Sequence, residues 1–311
     1  MKLRKSSKIF LAGHKGMVGS AILRIFKERG YNNIITKDKK QINLLKQLET
    51  SRFLKKIKPD IVIIAAAKVG GIFANQKYKA NFIYENLTIQ NNIIHSSYLA
   101  GVKKLLFLGS SCIYPKFSKQ PIKEEYLLSG NLESTNDAYA VAKIAGVKMC
   151  EAYNLQYNLK YISLMPTNLY GPNDNFQNKN SHFYPALIKK IYRAKKLKKK
   201  TIKIWGNGKA KRELMYVDDL ADACEFFLKK NLKHSLINIG SGIEKTITDY
   251  CKFIMKKLDC SLKIKFDKKM PNGTPRKVLD CKIAKSYGWK SKFSLEKGFD
   301  LTFREFLKKN N

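Results

Sequence analysis

The chain has 311 residues, 44% of them hydrophobic and 27% charged, which suits a soluble enzyme with one large α/β domain or two smaller lobes. Its longest unbroken apolar run covers only residues 61–67, far too few to cross a bilayer, so we expect no membrane partner. The net charge of +37 would suit a nucleic-acid-binding protein.

The excess positive charge also has a plainer explanation. Lysines are spread along the whole chain, and the one dense basic run, residues 194–200, lacks the aromatic residues that stack on single-stranded nucleic acid. We therefore expect a solvated, lysine-rich surface that favours anionic small molecules, and no nucleic-acid partner. A basic nucleic-acid-binding protein that kept only the shell of an enzyme fold is the alternative class.

The amino-terminal residues and the cysteines bear on cellular location. The first 16 residues are charged and contain only a short apolar stretch that ends in a glycine turn, unlike a signal peptide, so we expect a cytoplasmic protein. None of the six cysteines has the CxxC spacing of a metal site, and a cytoplasmic chain keeps its thiols reduced, so we expect neither a metal nor disulfides. Only Cys112, at the end of a predicted strand, calls for another explanation than packing.

Apolar runs alternate with helical patterns over the first half of the chain. The predicted strands cover residues 8–12, 32–36, 60–67, 103–111 and 161–166, and the predicted helices cover residues 19–29, 41–58, 81–100 and 139–157. This alternation indicates βαβ units, so we predict an α/β fold with a parallel, doubly wound sheet. The rest is predicted as a loop-rich segment over residues 167–182, two strands within 202–217, a helix over 217–230, a buried strand within 236–242 and a smaller mixed α/β lobe.

GHKGMVG, residues 13–19, connects the first predicted strand to the first predicted helix. Glycines at this spacing let the backbone turn tightly and approach a pyrophosphate, which rests on the free N–H groups of the helix. This context predicts a Rossmann domain with cofactor contacts from Gly13, His14, Lys15, Gly16, Met17, Val18 and Gly19. We place that domain at residues 1–165 plus about 217–242, and a substrate-binding lobe at about 166–216 plus 243–311.

The end of the second predicted strand bears on which dinucleotide binds. An acid there usually bonds the ribose 2′-hydroxyl of NAD, and Asp38 is near that position, so NAD stays open. However, Lys15, Lys37, Lys39 and Lys40 surround this acid, and four cations suit a 2′-phosphate better. We therefore expect NADP(H) as the cofactor, with Lys39 and Lys40 among its contacts.

FLGSSCIYP, residues 107–115, ends a predicted strand with two hydroxyls and a thiol, at the edge of the sheet where ligands bind. Downstream, YAVAK places Tyr139 and Lys143 on one face of a helix, where the lysine can stabilise a tyrosine phenolate and lower its pKa. With the glycine loop, this set resembles the extended, nucleotide-sugar branch of the short-chain dehydrogenase/reductase superfamily. The resemblance implies Ser110, Tyr139 and Lys143 as a catalytic triad.

The strand tip distinguishes members of that superfamily. Dehydratases carry Thr-Asp-Glu there, whereas this chain has Ser110, Ser111 and Cys112. A thiol, whose pKa of about 8.5 falls beside positive charge, can move a proton on a carbon next to a ketone. The chain resembles the GDP-L-fucose synthase family nearly end to end, through GHKGMVG, AAAKVGGI, FLGSSCIYP, YAVAKIAG, MPTNLYGPNDNF, NSHFYPALI and GTPRKVLD.

That resemblance implies an epimerase-reductase that converts GDP-4-keto-6-deoxy-D-mannose to GDP-L-fucose. Cys112 and His182, the histidine of NSHFYPALI, would act as base and acid at C3 and C5, and NADPH would then deliver hydride to C4 while Tyr139 protonates the alkoxide. Further cofactor contacts are expected from Leu108, Gly109, Ser110, Ser111, Lys143, Pro166, Thr167, Asn168, Leu169 and His182. The alternative is another extended epimerase or ketoreductase that acts on a different nucleotide-sugar.

Four residues are candidate substrate contacts. Trp205 would cover the nucleotide, Arg212 would bind its diphosphate, and Asp280 would bond sugar or ribose hydroxyls. Core packing for Trp205 and a surface cation for Arg212 are the plain alternatives. Lys190 stands where we expect the family to use arginine for the diphosphate, which keeps the charge but not the forked geometry. By analogy we also expect a two-fold homodimer, paired through the helices predicted near residues 81–100 and 139–157.

Overall fold

The computed structural model describes residues 3–176 and 181–310. Residues 177–180 lie outside the described part and include the first residue of NSHFYPALI and a piece of the predicted loop-rich segment. The strands are β1 (Ile9–Ala12), β2 (Ile34–Ile35), β3 (Ile61–Ile64), β4 (Lys104–Leu108), β5 (Lys160–Pro166), β6 (Asn168–Tyr170), β7 (Thr201–Trp205), β8 (Lys211–Tyr216), β9 (Leu236–Ile239), β10 (Glu244–Thr246), β11 (Lys263–Asp267) and β12 (Arg276–Lys277). The α-helices are α1 (Met17–Glu28), α2 (Gln47–Ile57), α3 (Ile72–Lys77), α4 (Lys79–Leu99), α5 (Asp137–Tyr157), α6 (Phe183–Lys196), α7 (Val217–Lys229), α8 (Ile247–Lys257), α9 (Lys282–Ser286) and α10 (Leu295–Asn310).

A six-stranded parallel sheet, in the order β2-β1-β3-β4-β5-β9, forms the centre of the molecule. β1, β3 and β4 are buried along their whole length, as is typical of parallel strands covered on both faces, and this burial explains their continuous apolar sequences. The predicted doubly wound α/β fold is confirmed. Since β2 and β3 lie on opposite sides of β1, the carboxyl ends of β1 and β3 form the switch point at which such sheets bind ligands.

The remaining strands lie beside this sheet. β8 pairs with β6, β10 and β12, and β7 pairs with β11. The apolar side chains form two cores: one surrounds the central sheet and includes Trp289 from late in the chain, and the other joins β6, β7, β8, α6, α8 and α10 around buried residues such as Tyr184 and Phe299. The proposed domain boundaries stay a prediction.

Several elements differ from their predicted bounds. α2 begins at Gln47 rather than at residue 41, because the Asn43 side-chain oxygen accepts a hydrogen bond from the Leu45 N–H and holds the preceding residues in a turn. β3 ends at Ile64 rather than at residue 67. The segment predicted as loop contains β6, which forms through its pairing with β8, and the short α3 was not predicted.

The described residues also bear on membrane spanning and metal binding. Within residues 3–176 and 181–310, no helix is long and apolar enough to cross a membrane. Over the same residues, no group of three or more His, Cys, Asp and Glu side chains is arranged to hold a metal ion. All six cysteines carry free thiols, and Cys112 and Cys260 are only partly buried.

Candidate active site

A cavity of about 1380 Å³ extends from the carboxyl ends of the central strands to β7. Every predicted cofactor contact lines it, as do the predicted triad, Cys112, His182 and three of the four candidate substrate contacts. Asp280 does not line it: the side chain is buried, and its carboxylate accepts a hydrogen bond from the Lys282 N–H at 2.8 Å. The role of Asp280 as a substrate contact stays a prediction, and in this structure its carboxylate bonds the backbone that follows it.

The glycine loop is shaped for close approach of a ligand to the backbone. Gly13 has φ of +90°, and a Cβ there would lie 2.5 Å from the Ala66 nitrogen. A Cβ on Gly19 would overlap the Gly13 carbonyl, so both positions need glycine for the first turn of α1 to pack on the loop. No side chain caps the start of α1, and the buried Nδ1 of His14 has no hydrogen-bond partner. The uncapped N–H groups at the start of α1 and the loop's shape fit a dinucleotide pyrophosphate.

The lysines after β2 lie at the adjoining end of the cavity. Lys15 Nζ donates a hydrogen bond to Asp38 Oδ2 at 2.8 Å, and Asp38 Oδ1 accepts from the backbone N–H groups of Lys40 and Gln41. The hydrogen bond from Lys15 is the largest cause that lowers the pKa of Asp38. Asp38 is therefore engaged by the loop itself, while Lys15, Lys39 and Lys40 line the cavity.

Helix α5 brings Tyr139 and Lys143 to the tip of β4. It can approach that strand because Gly146 faces the Phe107 ring, where a Cβ would meet the ring at 2.5 Å. Lys143 is buried, and its Nζ donates to the Leu108 carbonyl at 2.8 Å. Burial in this contact lowers the pKa of Lys143 to about 7.

The expectation that Lys143 lowers the pKa of Tyr139 is wrong. Burial is the largest effect on Tyr139 and raises its pKa, the charge of Cys112 raises it further, and a hydrogen bond with Ser110 offsets this only in part. Lys143 Nζ lies 5.9 Å from the centre of the Tyr139 ring and bonds the Leu108 carbonyl instead. A tyrosine that keeps its proton is suited to donate one.

Cys112 lies in a short 3₁₀ helix, Ser111–Ile113, directly after β4. The Ser110 hydroxyl accepts a hydrogen bond from the Cys112 N–H at 3.2 Å, which fixes the thiol's backbone. Burial by itself raises the pKa of Cys112, but the charge of Lys277 and hydrogen bonds from neighbouring groups outweigh it, so the pKa lies below its ordinary value.

His182 precedes the first residue of α6 and faces the cavity. The His182 side chain is solvent-accessible because it faces the open cavity, although many protein atoms lie around it. Burial is the larger cause that lowers the pKa of His182, and the charge of Lys277 lowers it further. A neutral imidazole and a thiol of lowered pKa thus line one cavity, and the charge of Lys277 acts on both.

The other three candidate substrate contacts line the cavity from α6, β7 and β8. Trp205 ends β7 with 40% of its surface exposed, which argues against a plain core role. Arg212, on β8, donates to the Lys211 and Asn272 carbonyls, and burial lowers its pKa. Lys190 donates to the Lys203 carbonyl at 2.6 Å. Trp205, Arg212 and Lys190 thus line the cavity. Their roles as substrate contacts stay predictions.

The amino-acid sequence is similar to those of known proteins. The model of the NAD dependent epimerase/dehydratase family matches residues 9–240. The chain belongs to this family. GDP-L-fucose synthase 1 of Arabidopsis thaliana is 50% identical to it over 304 residues, which cover 98% of this chain and 94% of the relative. The resemblance to GDP-L-fucose synthases that the motifs indicate is thereby confirmed.

Solved structures of the epimerase/dehydratase type agree with the fold. A GDP-6-OMe-4-keto-L-xylo-heptose reductase from C. jejuni is 36% identical, with a TM-score of 0.92 and 100% of each chain covered. A GDP-L-fucose synthetase from Naegleria fowleri bound to NADP is 26% identical, with a TM-score of 0.90 over 100% of this chain and 95% of that one.

Among the cavity residues that were not predicted from the sequence, three bear on the chemistry of the site. Lys277 Nζ and Asn136 Nδ2 each donate a hydrogen bond to Cys112 Sγ, at 3.4 and 3.3 Å. Thr135 is 8% exposed, and its hydroxyl has no hydrogen-bond partner although it lines the cavity. The only available signal was that Lys277 lies within GTPRKVLD, a segment already singled out, where Asp280 was chosen instead.

Proposed function

We propose that the protein is an NADPH-dependent epimerase-reductase that converts GDP-4-keto-6-deoxy-D-mannose to GDP-L-fucose. The observation that carries this proposal is the Cys112 thiol, which has a lowered pKa and lies beside Ser110 and Tyr139. A ketone reductase needs groups for hydride and proton delivery only. A thiol of this kind adds a base that can move protons on the carbons beside the ketone.

NADP(H) is the cofactor that fits the glycine-loop end of the cavity. The space against Gly13 and Gly19 and the uncapped start of α1 would hold the pyrophosphate, and Lys15, Lys39 and Lys40 would hold the 2′-phosphate. When bound, the cofactor supplies hydride for reduction at C4. The NADP-bound relative supports the same choice.

Cys112 and His182 would carry out the two epimerisations. C3 and C5 flank the C4 ketone, so removal of either proton gives an enolate whose charge gathers on the C4 oxygen. Cys112 would take the proton as a thiolate. His182 would return a proton on the other face of the sugar in its imidazolium form, which its lowered pKa makes a ready proton donor. Ser110 and Tyr139 would donate hydrogen bonds to the C4 oxygen while the charge is present.

Tyr139 and Lys143 would complete the reduction. Because burial raises the pKa of Tyr139, the phenol holds its proton until the C4 oxygen becomes an alkoxide and can accept it. Lys143 lies one helical turn after Tyr139 and is held by its hydrogen bond to the Leu108 carbonyl. It would orient the nicotinamide ribose. Arg212 and Lys190 would bind the diphosphate, Trp205 the nucleotide, and the free Thr135 hydroxyl a sugar hydroxyl.

The second candidate function is reduction of a different GDP-linked keto-sugar without epimerisation. The similarity to a heptose reductase favours keeping it in view. A plain reductase would use Ser110, Tyr139 and Lys143 and would have no chemical need for Cys112. Deuterium exchange therefore separates the two functions.

The test is incubation of the purified protein with GDP-4-keto-6-deoxy-D-mannose in deuterated water, with and without NADPH. We expect deuterium at C3 and C5 without NADPH, and GDP-L-fucose with it. Cys112→Ser should abolish exchange, Tyr139→Phe should lower reduction by about 10²–10⁴-fold, and Cys260→Ser, outside the cavity, should change neither. Consumption of NADPH without deuterium incorporation would assign the plain reductase function instead.

We also propose a homodimer formed through α4 and α5. These two helices pack side by side, and their outer surface exposes Tyr84, Val141 and Leu155, the last with 88% of its surface accessible. Tyr98 and Tyr157 stack at 4.1 Å between ring centres across the same helix pair. Exposed apolar side chains on a rigid helix pair suit an isologous contact with a second copy. The cytoplasmic location stays a prediction.

A further inference from the structure

One lysine, Lys277, acts on both proposed acid–base groups. Its Nζ donates a hydrogen bond to Cys112 Sγ at 3.4 Å, and its charge lowers the pKa of His182. Lys277 is brought there by β12, which pairs with β8 so that Lys277 lies opposite Arg212. Because only 9% of Lys277 is exposed, water screens its charge weakly.

Asn136 supplies a second donor to the same sulfur. Its Nδ2 lies 3.3 Å from Cys112 Sγ, and the residue directly precedes α5, the helix that also carries Tyr139. On the other side, the Cys112 N–H is bonded to the Ser110 hydroxyl. The sulfur therefore meets two N–H donors from separate segments, an arrangement that favours negative charge on sulfur.

The other charged groups around Cys112 do not cancel this effect. Burial is the largest influence and favours the neutral thiol, but Lys277 and Arg212 both act in the opposite direction. Glu133, an acid that lines the same cavity, acts on Arg212 and forms an ion pair with Lys116 at 3.2 Å. Tyr139 adds no charge, because burial keeps its phenol protonated.

We propose that Lys277 and Asn136 are positioning residues that hold Cys112 as a thiolate in the site before any sugar binds. The inference rests on the proposed function, because exchange at C3 and C5 requires a base. A thiolate that is present before the sugar binds would be that base. The thiolate itself is measurable without a sugar. Failure of the proposed reaction and failure of this inference can therefore be told apart.

The experiment measures the rate at which iodoacetamide alkylates Cys112 between pH 5 and 10, read by mass spectrometry of the peptide that contains it. Peptide resolution separates Cys112 from Cys260, the other partly buried thiol. We expect a wild-type midpoint below the value of about 8.5 for a free thiol. Lys277→Met should raise the midpoint by about one to two pH units, and Lys277→Arg should restore it.

Two further variants complete the test. Asn136→Ala should raise the midpoint by less than Lys277→Met, since it removes a donor but no charge. Lys282→Met is the control. It removes the charge of an exposed side chain five residues after Lys277 and should leave the midpoint unchanged. The pH dependence of deuterium exchange should shift with the alkylation midpoint in each variant.

Several outcomes would overturn the inference. A wild-type midpoint at or above about 8.5 would do so whatever the variants show, which covers the case in which Lys277→Met does not fold. An unchanged midpoint in folded Lys277→Met would also overturn it. A low wild-type midpoint without any deuterium exchange would leave the thiolate in place and count against the proposed function only.

Discussion

Lys143 shows at the scale of a single residue how this site trades stability for chemistry. Its ammonium group is buried with one hydrogen bond, to the Leu108 carbonyl, and burial lowers its pKa from 10.5 to about 7. The unfolded chain therefore binds more protons at this residue between about pH 7 and 10, so this residue's cost to folding is full at neutral pH and falls as pH rises. A buried lysine kept at such a cost is a functional candidate.

Lys143→Met should therefore stabilise the protein while it removes the reductase activity. Without cofactor, we expect the melting temperature at pH 7 to rise by about 2–4 °C, and the gain over wild type to shrink as pH approaches 10. Differential scanning fluorimetry across pH measures this. Lys148→Met, on the exposed side of α5, is the control and should give no such pH-dependent gain. A melting temperature lowered at every pH would contradict the account.

Lys15 is the residue on which the choice between NADPH and NADH should depend most. It lies in the glycine loop, lines the cavity and pairs with Asp38 at 2.8 Å. Lys15→Met should raise the KM for NADPH about tenfold, because a charged contact to the 2′-phosphate is lost, and should leave the KM for NADH nearly unchanged. Lys160→Met, at the opposite end of the sheet, should change neither value. An equal rise for both cofactors would place Lys15 elsewhere on the dinucleotide.

At the scale of elements, the contact between the glycine loop and α1 determines where the cofactor can lie. Gly16 and Gly19 are three residues apart but differ in their surroundings. A Cβ on Gly16 would meet nothing closer than the Gly13 carbonyl at 3.6 Å, whereas a Cβ on Gly19 would overlap that carbonyl. The same local pattern thus contains one position open to a side chain and one that is closed.

Gly19→Ala should lower the free energy of unfolding by about 1–3 kcal/mol, because backbone atoms rather than a flexible side chain must move. Gly16→Ala, the matched control, should change it by less than about 1 kcal/mol. Urea unfolding followed by circular dichroism, without cofactor, gives both values. Similar losses in the two variants would mean that the first turn of α1 tolerates no side chain at either position.

At the scale of the whole molecule, the sheet gathers distant segments at one edge, and α4 and α5 expose the apolar side chains of the proposed homodimer contact. The net charge of +37 does not select either feature, since lysines are spread over the surface. The strength of association should depend on the exposed apolar residues of α4 and α5. Because both copies carry a net charge of +37, salt screens their repulsion and should strengthen the association.

Leu155→Asp should convert the proposed dimer to a monomer, because a charge would be buried without a partner at the contact. Size-exclusion chromatography with light scattering measures the mass directly. Leu128→Asp replaces a similarly exposed leucine on a loop outside α4 and α5 and should leave the mass unchanged. A monomeric wild-type protein at micromolar concentration would reject the proposed dimer.

The sequence by itself determined the fold class and the residues proposed for chemistry and cofactor binding that line the cavity. The glycine loop, the tip of β4 and the pair Tyr139 and Lys143 could be predicted because each depends on local spacing: a strand's end, a turn or one turn of helix. Boundaries were less predictable where side chains compete with the backbone, as Asn43 does before α2. β6 could not be predicted because it exists through pairing with β8.

Only the tertiary structure decided the electrostatics of the site. Lys277 lies 165 residues from Cys112, and only the pairing of β12 with β8 brings it to the thiol while Asp280, three residues later, caps its own backbone. Burial likewise raises the pKa of Tyr139 and lowers that of Lys143, the reverse of the predicted effect on the tyrosine. Spacing along the chain places reactive groups on an element, but their protonation depends on desolvation and charges that distant segments supply.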